Sequence, residues 1–308
     1  MFQPTWYRGN IYGAMALKLA IVVLLLFMSR ILIYVFNPGL FAGIGLSHFI
    51  YVCFAGLRFD LVTLALTNLL FVILCIIPFR IRYHKTYQWI ANFIFYLTNS
   101  IALALNFIDV IYFRFTQKRM TFDVFSFVSE TGNEIISLVP DYILDFWFMV
   151  LIWLLFVVVL VWAGKKIIAE KGVQRTGLLQ AFLFDIIKFI IIFGLLIVAG
   201  RGGFQYRPLD IINAGRFTEP KYFALLLNTP FTLIKTKDES SIIPKEYFYD
   251  EQKLGAVFSP VKKFDYVEGD FKNYNVVIII LESFTSEHSA YLNPDLENGN
   301  YKGYTPFL

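Results

Sequence analysis

The residue best placed to do chemistry is Glu282, which closes an unbroken apolar run from Val276 to Leu281 and is followed at once by Ser283, Thr285, Ser286 and His288. A carboxylate delivered there is a hard oxygen ligand, suited to Mg²⁺ or Mn²⁺ and acceptable to Zn²⁺. Its alternative role is to cap a nearby helix N-terminus. The run is too short to cross a membrane, and its β-branched character without polar alternation suits a central parallel strand covered on both faces. In open α/β sheets ligands bind beyond the carboxyl ends of such strands, where Glu282 would sit. Ser283 and His288 do not make a nucleophile and base, because the neighbours Glu282 and Phe284 are not those of a Gly-x-Ser-x-Gly elbow. His288 reads as a loop histidine at the margin of the site, and Asn293, Asp295, Glu297 and Asn298 as a solvated loop.

A second set of candidates is ionic and lies within apolar sequence: Arg30, Arg58, Asp60, Asp109 and Asp185. Charged groups are costly in hydrocarbon unless they pair or meet water, so each is a functional candidate by default. The surroundings are those of a membrane protein: 57% of the 308 residues are hydrophobic, 19% aromatic and only 16% charged, with a mean hydropathy of +0.62. The net charge of +4 is modest and is better read loop by loop than as a nucleic-acid signal. Cys53 and Cys75 fall within one apolar segment and imply neither a disulfide framework nor a metal site.

Five segments are long enough to cross a hydrocarbon core, which takes about 20 helical residues. They run from about Tyr12 to Phe36, His48 to Ile77, Tyr87 to Phe113, Leu144 to Ala163 and Leu179 to Ala199. The first reads as a retained signal anchor. Arg8, Arg80, Arg82, Lys85, Lys165, Lys166, Lys171 and Arg175 fall on one side of these spans. On the other side Arg114, Lys118 and Arg119 are offset by Asp123, Glu130, Glu134 and Asp141. Short cytoplasmic loops retain Lys and Arg, so the N-terminus is expected inside and everything after Arg201 outside.

Between the third and fourth spans, Phe122, Val124, Phe125 and Val128 recur at helical spacing, and Gly132 and Pro140 interrupt the remainder of the connection. One or two short interfacial helices near 120–140 are expected, with a plain surface loop as the alternative. Residues 201–263 read as a juxtamembrane helical linker punctuated by prolines. Within it Thr218-Glu219-Pro220 opens a short helix, and its apolar face, Phe223, Leu226 and Leu227, is expected to rest on the membrane surface.

Taken together, Leu281-Glu282-Ser283-Phe284 and Thr305-Pro306-Phe307-Leu308 resemble the start of the catalytic domain in lipoteichoic acid synthase-like proteins of the alkaline phosphatase and sulfatase superfamily. Arg207-Pro208-Leu209 and Leu227-Asn228-Thr229-Pro230-Phe231 are similar to the juxtamembrane part of the same proteins. The resemblance implies an α-helical membrane protein with five transmembrane helices over 1–200, followed at 264–308 by the truncated beginning of an extracytoplasmic α/β, alkaline phosphatase-like domain. It implies Glu282 as a ligand of a divalent metal (Mn²⁺, Mg²⁺ or Zn²⁺), the other ligands and the nucleophilic Thr being expected beyond Leu308. It further implies the cytoplasmic membrane of a bacterium as the location. The activity implied is transfer of a phospholipid head group, phosphoglycerol first, to an envelope glycan or lipid acceptor, through a phosphothreonine intermediate.

Two rivals stand beside this reading. One is a membrane-bound sulfatase or phosphodiesterase that uses water as acceptor. The other is a transporter or non-catalytic scaffold, which the odd helix count and the lack of paired broken segments disfavour. If a donor lipid binds in the membrane unit, Arg30 or Arg58, together with Arg201, is expected to contact its phosphate, since the forked guanidinium suits that geometry. The alternative is mutual pairing, for instance Arg58 with Asp60 or Asp109.

Overall fold

The computed structural model describes residues 5–125, 140–170, 178–237, 247, 251–258, 274–275, 277–278 and 285–304. Contacts divide the chain into two units, Met1–Ile243 and Pro244–Leu308. The stretch expected as a linker, 201–263, therefore falls partly in each.

The first unit is built on the helices α1 (Ile11–Phe36), α2 (Leu46–Thr67), α3 (Leu69–Ile76), α4 (Lys85–Thr116), α5 (Trp147–Lys165) and α6 (Leu178–Arg201). Five of these are long and apolar enough to span a membrane: α1, α2, α4, α5 and α6. The Asn10 side chain starts α1 by accepting from the Gly13 amide at 2.7 Å. Pro38 stops it, since proline cannot continue the hydrogen-bond ladder.

The second apolar segment is one span in composition and two helices in structure. It breaks at Asn68 (φ −98°, ψ 13°), whose amide exchanges hydrogen bonds of 3.0 and 2.7 Å with the Asn99 amide of α4. The break leaves Cys53 on α2 and Cys75 on α3, both buried and free. At its far end α6 closes through two left-handed glycines, Gly202 (φ 77°) and Gly203 (φ 132°), whose amides bond back to Ala199 and Val198. A Cβ on Gly202 would lie 2.5 Å from Leu209 Cβ, so the chain turns there only as glycine.

One end of the bundle, here the proximal end, gathers residues 5–10, 77–85 and 166–170. It carries a two-stranded parallel ladder pairing β1 (Tyr7–Gly9) with β2 (Ile167–Ala169), Tyr7 opposite Ile167. Arg82 ties this end together with a 2.7 Å ion pair to Asp185 and a 2.9 Å bond to the Tyr12 hydroxyl.

At the distal end the chain after α6 turns back into the bundle as α7 (Phe223–Leu226) and α8 (Thr229–Thr236), which pack against α1, α2 and α4. Leu225, Leu226, Thr229 and Phe231 have no exposed surface. This corrects the expectation that Leu226 and Leu227 lie on the membrane surface. The physical reason is that this segment supplies carbonyls and hydroxyls to buried charges on the spans, and it can do so only from inside. Of the expected interfacial helices, the helical turn at 123–125 is described, anchored by a 2.8 Å bond from the Phe122 amide to the Thr236 hydroxyl. Residues 126–139 lie outside the described residues.

In the second unit the described helix is α9 (Glu251–Val257), with 3₁₀ turns at Ser286–His288 and Leu296–Gly299. Of the expected strand Val276–Leu281, Val277 and Ile278 are described. Both are about four-fifths exposed and stand outside any strand. A central parallel strand needs bonded neighbours on its edges, and among the described residues of this unit none provides them.

Candidate functional site

At the distal end two buried ion pairs form, both bonded to the segment that carries α7 and α8, while Asp185 of α6 pairs with Arg82 at the proximal end. Arg30 of α1 meets Asp60 of α2 at 2.7 Å, the two side chains being 1% and 0% exposed. The Leu226 carbonyl accepts from the same Arg30 nitrogen at 3.3 Å, and Asn228 Nδ2 donates to Asp60 Oδ1 at 2.8 Å. Among the described residues Arg30 Nε and Nη1 and Asp60 Oδ2 have no partner. Gly56 makes the room, since a Cβ there would lie 2.6 Å from Arg30 Cζ.

Asp109 of α4 pairs with Arg119 at 3.0 Å. The guanidinium also donates to the Ala224 and Leu227 carbonyls at 2.9 and 2.7 Å, while Thr229 Oγ1 and the Met120 amide donate to Asp109. Burial draws the Arg119 guanidinium below its ordinary value, and the neighbouring Asp109 carboxylate opposes the shift.

The pairing is therefore Arg30 with Asp60 and Arg119 with Asp109, rather than Arg58 with Asp60 or Asp109. Arg119, a loop charge by its place in the sequence, is a core residue in the fold. It comes within reach because the chain reverses after α4 at Gln117, which lies in the left-handed region (φ 54°). Asn106, Asn228 and Thr229 complete the layer, with Asn106 Oδ1 accepting from the Thr229 amide at 3.2 Å.

Arg58 and Arg201 have a different environment. Both are exposed, and both hold the loop after α6. Arg58 donates to the Gly202 carbonyl at 3.0 Å and to Gln205 Oε1 at 2.9 Å. Arg201 donates to the Tyr206 carbonyl at 2.8 Å. The structure thus brings two of the three head-group candidates onto one loop and leaves Arg30 sealed against an internal partner. Gln205, which bridges them, carries no signal in the sequence. Outside the spans, the Thr121 hydroxyl, with help from Lys118, holds the Asp123 carboxyl below its ordinary value.

Glu282 and the stretch Thr305-Pro306-Phe307-Leu308 lie outside the described residues. Nearby, Thr285 Oγ1 and His288 Nδ1 are 3.0 Å apart, and the Tyr304 amide donates to the His288 carbonyl at 2.9 Å, folding 285–304 into a closed loop. Among the described residues no three His, Cys, Asp or Glu side chains come together as a metal ion would need. No family model, curated protein or solved structure matches this chain.

Proposed function

We propose that the protein is a membrane-anchored, metal-dependent phosphotransferase that moves a phospholipid head group, phosphoglycerol first, to an extracytoplasmic glycan or lipid acceptor. The observation that carries the reading into the membrane unit is the convergence of Arg58 and Arg201 on the 202–206 loop. Arg58 lies about 27 Å of helical rise from the proximal end of α3. That is close to the ~30 Å of a hydrocarbon core. Under the orientation set by the basic loops, two exposed guanidinia then stand at the outer boundary, where a donor phosphate would be.

Arg30 does not share this role, because its charge is answered by Asp60. Glu282 is assigned as one ligand of a divalent ion, which when bound neutralises charge on phosphoryl oxygens. The reading is supported by the motif resemblance and by a five-span membrane unit with Arg58 and Arg201 together at its distal end.

The test uses the intact protein in membranes, with release of diacylglycerol from phosphatidylglycerol as the readout. Arg58→Gln and Arg201→Gln should each raise the apparent donor KM while the melting temperature stays near wild type. Glu282→Ala should abolish turnover and lower metal content. Unchanged donor dependence in both arginine variants, or full activity in Glu282→Ala, overturns the proposal. Release that is indifferent to added acceptor would assign a hydrolase in place of a transferase.

A further inference from the structure

We propose that a cavity at the proximal end of the bundle binds the phosphate-bearing head of an anionic membrane lipid. Its volume is about 390 Å³, within the ~300–1,000 Å³ of small-ligand sites. It lies among α1, α3, α4, α5 and β2, with largely apolar walls that include Phe71 and Ala91.

Lys18 lines this cavity at 7% exposure, and the Asn92 side-chain oxygen accepts from its ammonium at 2.6 Å. An ammonium carries three donors, so one neutral acceptor leaves capacity for another. Lys165 and Arg82 line the same space, and no Asp or Glu is among the lining residues described. Arg82 is answered by Asp185. The charge of Lys18 is left for an anion, because a buried cation is retained when it pairs, and the exposed Lys165 adds a second positive charge to the lining.

The lining selects an amphiphile over a free ion. Trp89 and Phe93, 66% and 53% exposed with ring centroids 5.8 Å apart, form an aromatic rim of the kind that sits at a membrane interface. Lys18 lies about 10 Å along α1 from Ile11, a depth from which a lysine reaches the head-group level by extending toward the helix N-terminus. The site is at the opposite end of the bundle from Arg58 and Arg201 and does not depend on the function proposed above.

The experiment follows melting of the intact protein in a neutral maltoside detergent as phosphatidylglycerol, phosphatidylcholine or inorganic phosphate is added. Phosphatidylglycerol should raise the melting temperature and the other two should not. Lys18→Gln should need on the order of tenfold more phosphatidylglycerol for half the rise, as expected for a lost charge-assisted hydrogen bond. Ala91→Leu, which fills the cavity with the charges intact, should remove the rise. Arg58→Gln combined with Arg201→Gln should keep it, separating this site from the proposed donor site.

Should Lys18→Gln fail to fold, the exposed Lys165→Gln reads the same weakening in smaller measure. Equal rises in wild type and in the Lys18 or Lys165 variant overturn the proposal, as does no rise in wild type. Phosphatidylcholine acting as well as phosphatidylglycerol overturns the anionic assignment, and inorganic phosphate acting as well overturns the lipid assignment.

Discussion

Asp109 and Arg119 are ten residues apart in the chain and 3.0 Å apart in space, both all but sealed from solvent. The helix reverses at Gln117 to make this possible, and the guanidinium then reaches across to two carbonyls of the returning segment. Removing one partner strands a buried charge, which costs about 3–5 kcal/mol. Asp109→Asn or Arg119→Met should therefore lower the melting temperature sharply in purified protein. Asp109→Leu combined with Arg119→Met should recover most of the loss, because a well-packed apolar pair replaces a buried ionic one at little cost. A double variant as unstable as the singles would show that the carbonyl contacts, and not the charge, dominate.

Gly56 of α2 and Gly45 at its start give a contrast on a single helix. A methyl at Gly56 would enter the Arg30 guanidinium, whereas nothing lies within 4 Å of one at Gly45. Overpacking of this kind costs about 1–3 kcal/mol. Gly45→Ala should stay within about 0.5 kcal/mol of wild type. Thermal melting of the two side by side checks the difference, and equal behaviour would mean that Arg30 moves freely aside.

Asn228 serves three partners: it accepts from the Phe231 amide and the Thr63 hydroxyl and donates to Asp60. Loss of a helix cap alone costs about 0.5–2 kcal/mol. Asn228→Ala should exceed that range, since Asp60 also loses a buried donor. Asn228→Asp keeps the cap but sets a carboxylate against Asp60, and should be no better at neutral pH. Stability of Asn228→Asp near wild type would show that the bond from Asn228 to Asp60 contributes little.

Orientation can be read with single cysteines, because Cys53 and Cys75 are buried and should stay silent toward impermeant maleimide. Tyr206→Cys, at a position 95% exposed, should be labelled on intact cells. His84→Cys, exposed at the opposite end, should be labelled only after permeabilisation. The reverse pattern would invert the topology and with it the placement of Arg58 and Arg201.

The five spans are legible in the sequence because length and apolarity are properties of the chain taken one residue at a time. The expected Tyr12–Phe36 is found as Ile11–Phe36, and Tyr87–Phe113 as Lys85–Thr116. The break at Asn68 is not legible, since it depends on the amide facing it from α4. Nor are the ion-pair partners, because sequence proximity favours Arg58 for Asp60 and the fold chooses Arg30. The stretch Leu227-Asn228-Thr229-Pro230-Phe231 stands out as a motif, yet its burial follows from what Arg30, Asp60 and Asp109 require of it. That requirement belongs to the assembled bundle.

The returning segment also constrains biosynthesis. Residues 223–232 leave the ribosome after all five spans, yet they provide the carbonyl for Arg30 and the two for Arg119. Until they arrive, the earlier helices sit in the bilayer with polar groups that only later sequence can satisfy. A nascent chain halted before Leu227 should hence be held by insertion chaperones or destroyed by membrane quality control, and release should coincide with synthesis of the Asn-Thr-Pro-Phe turn.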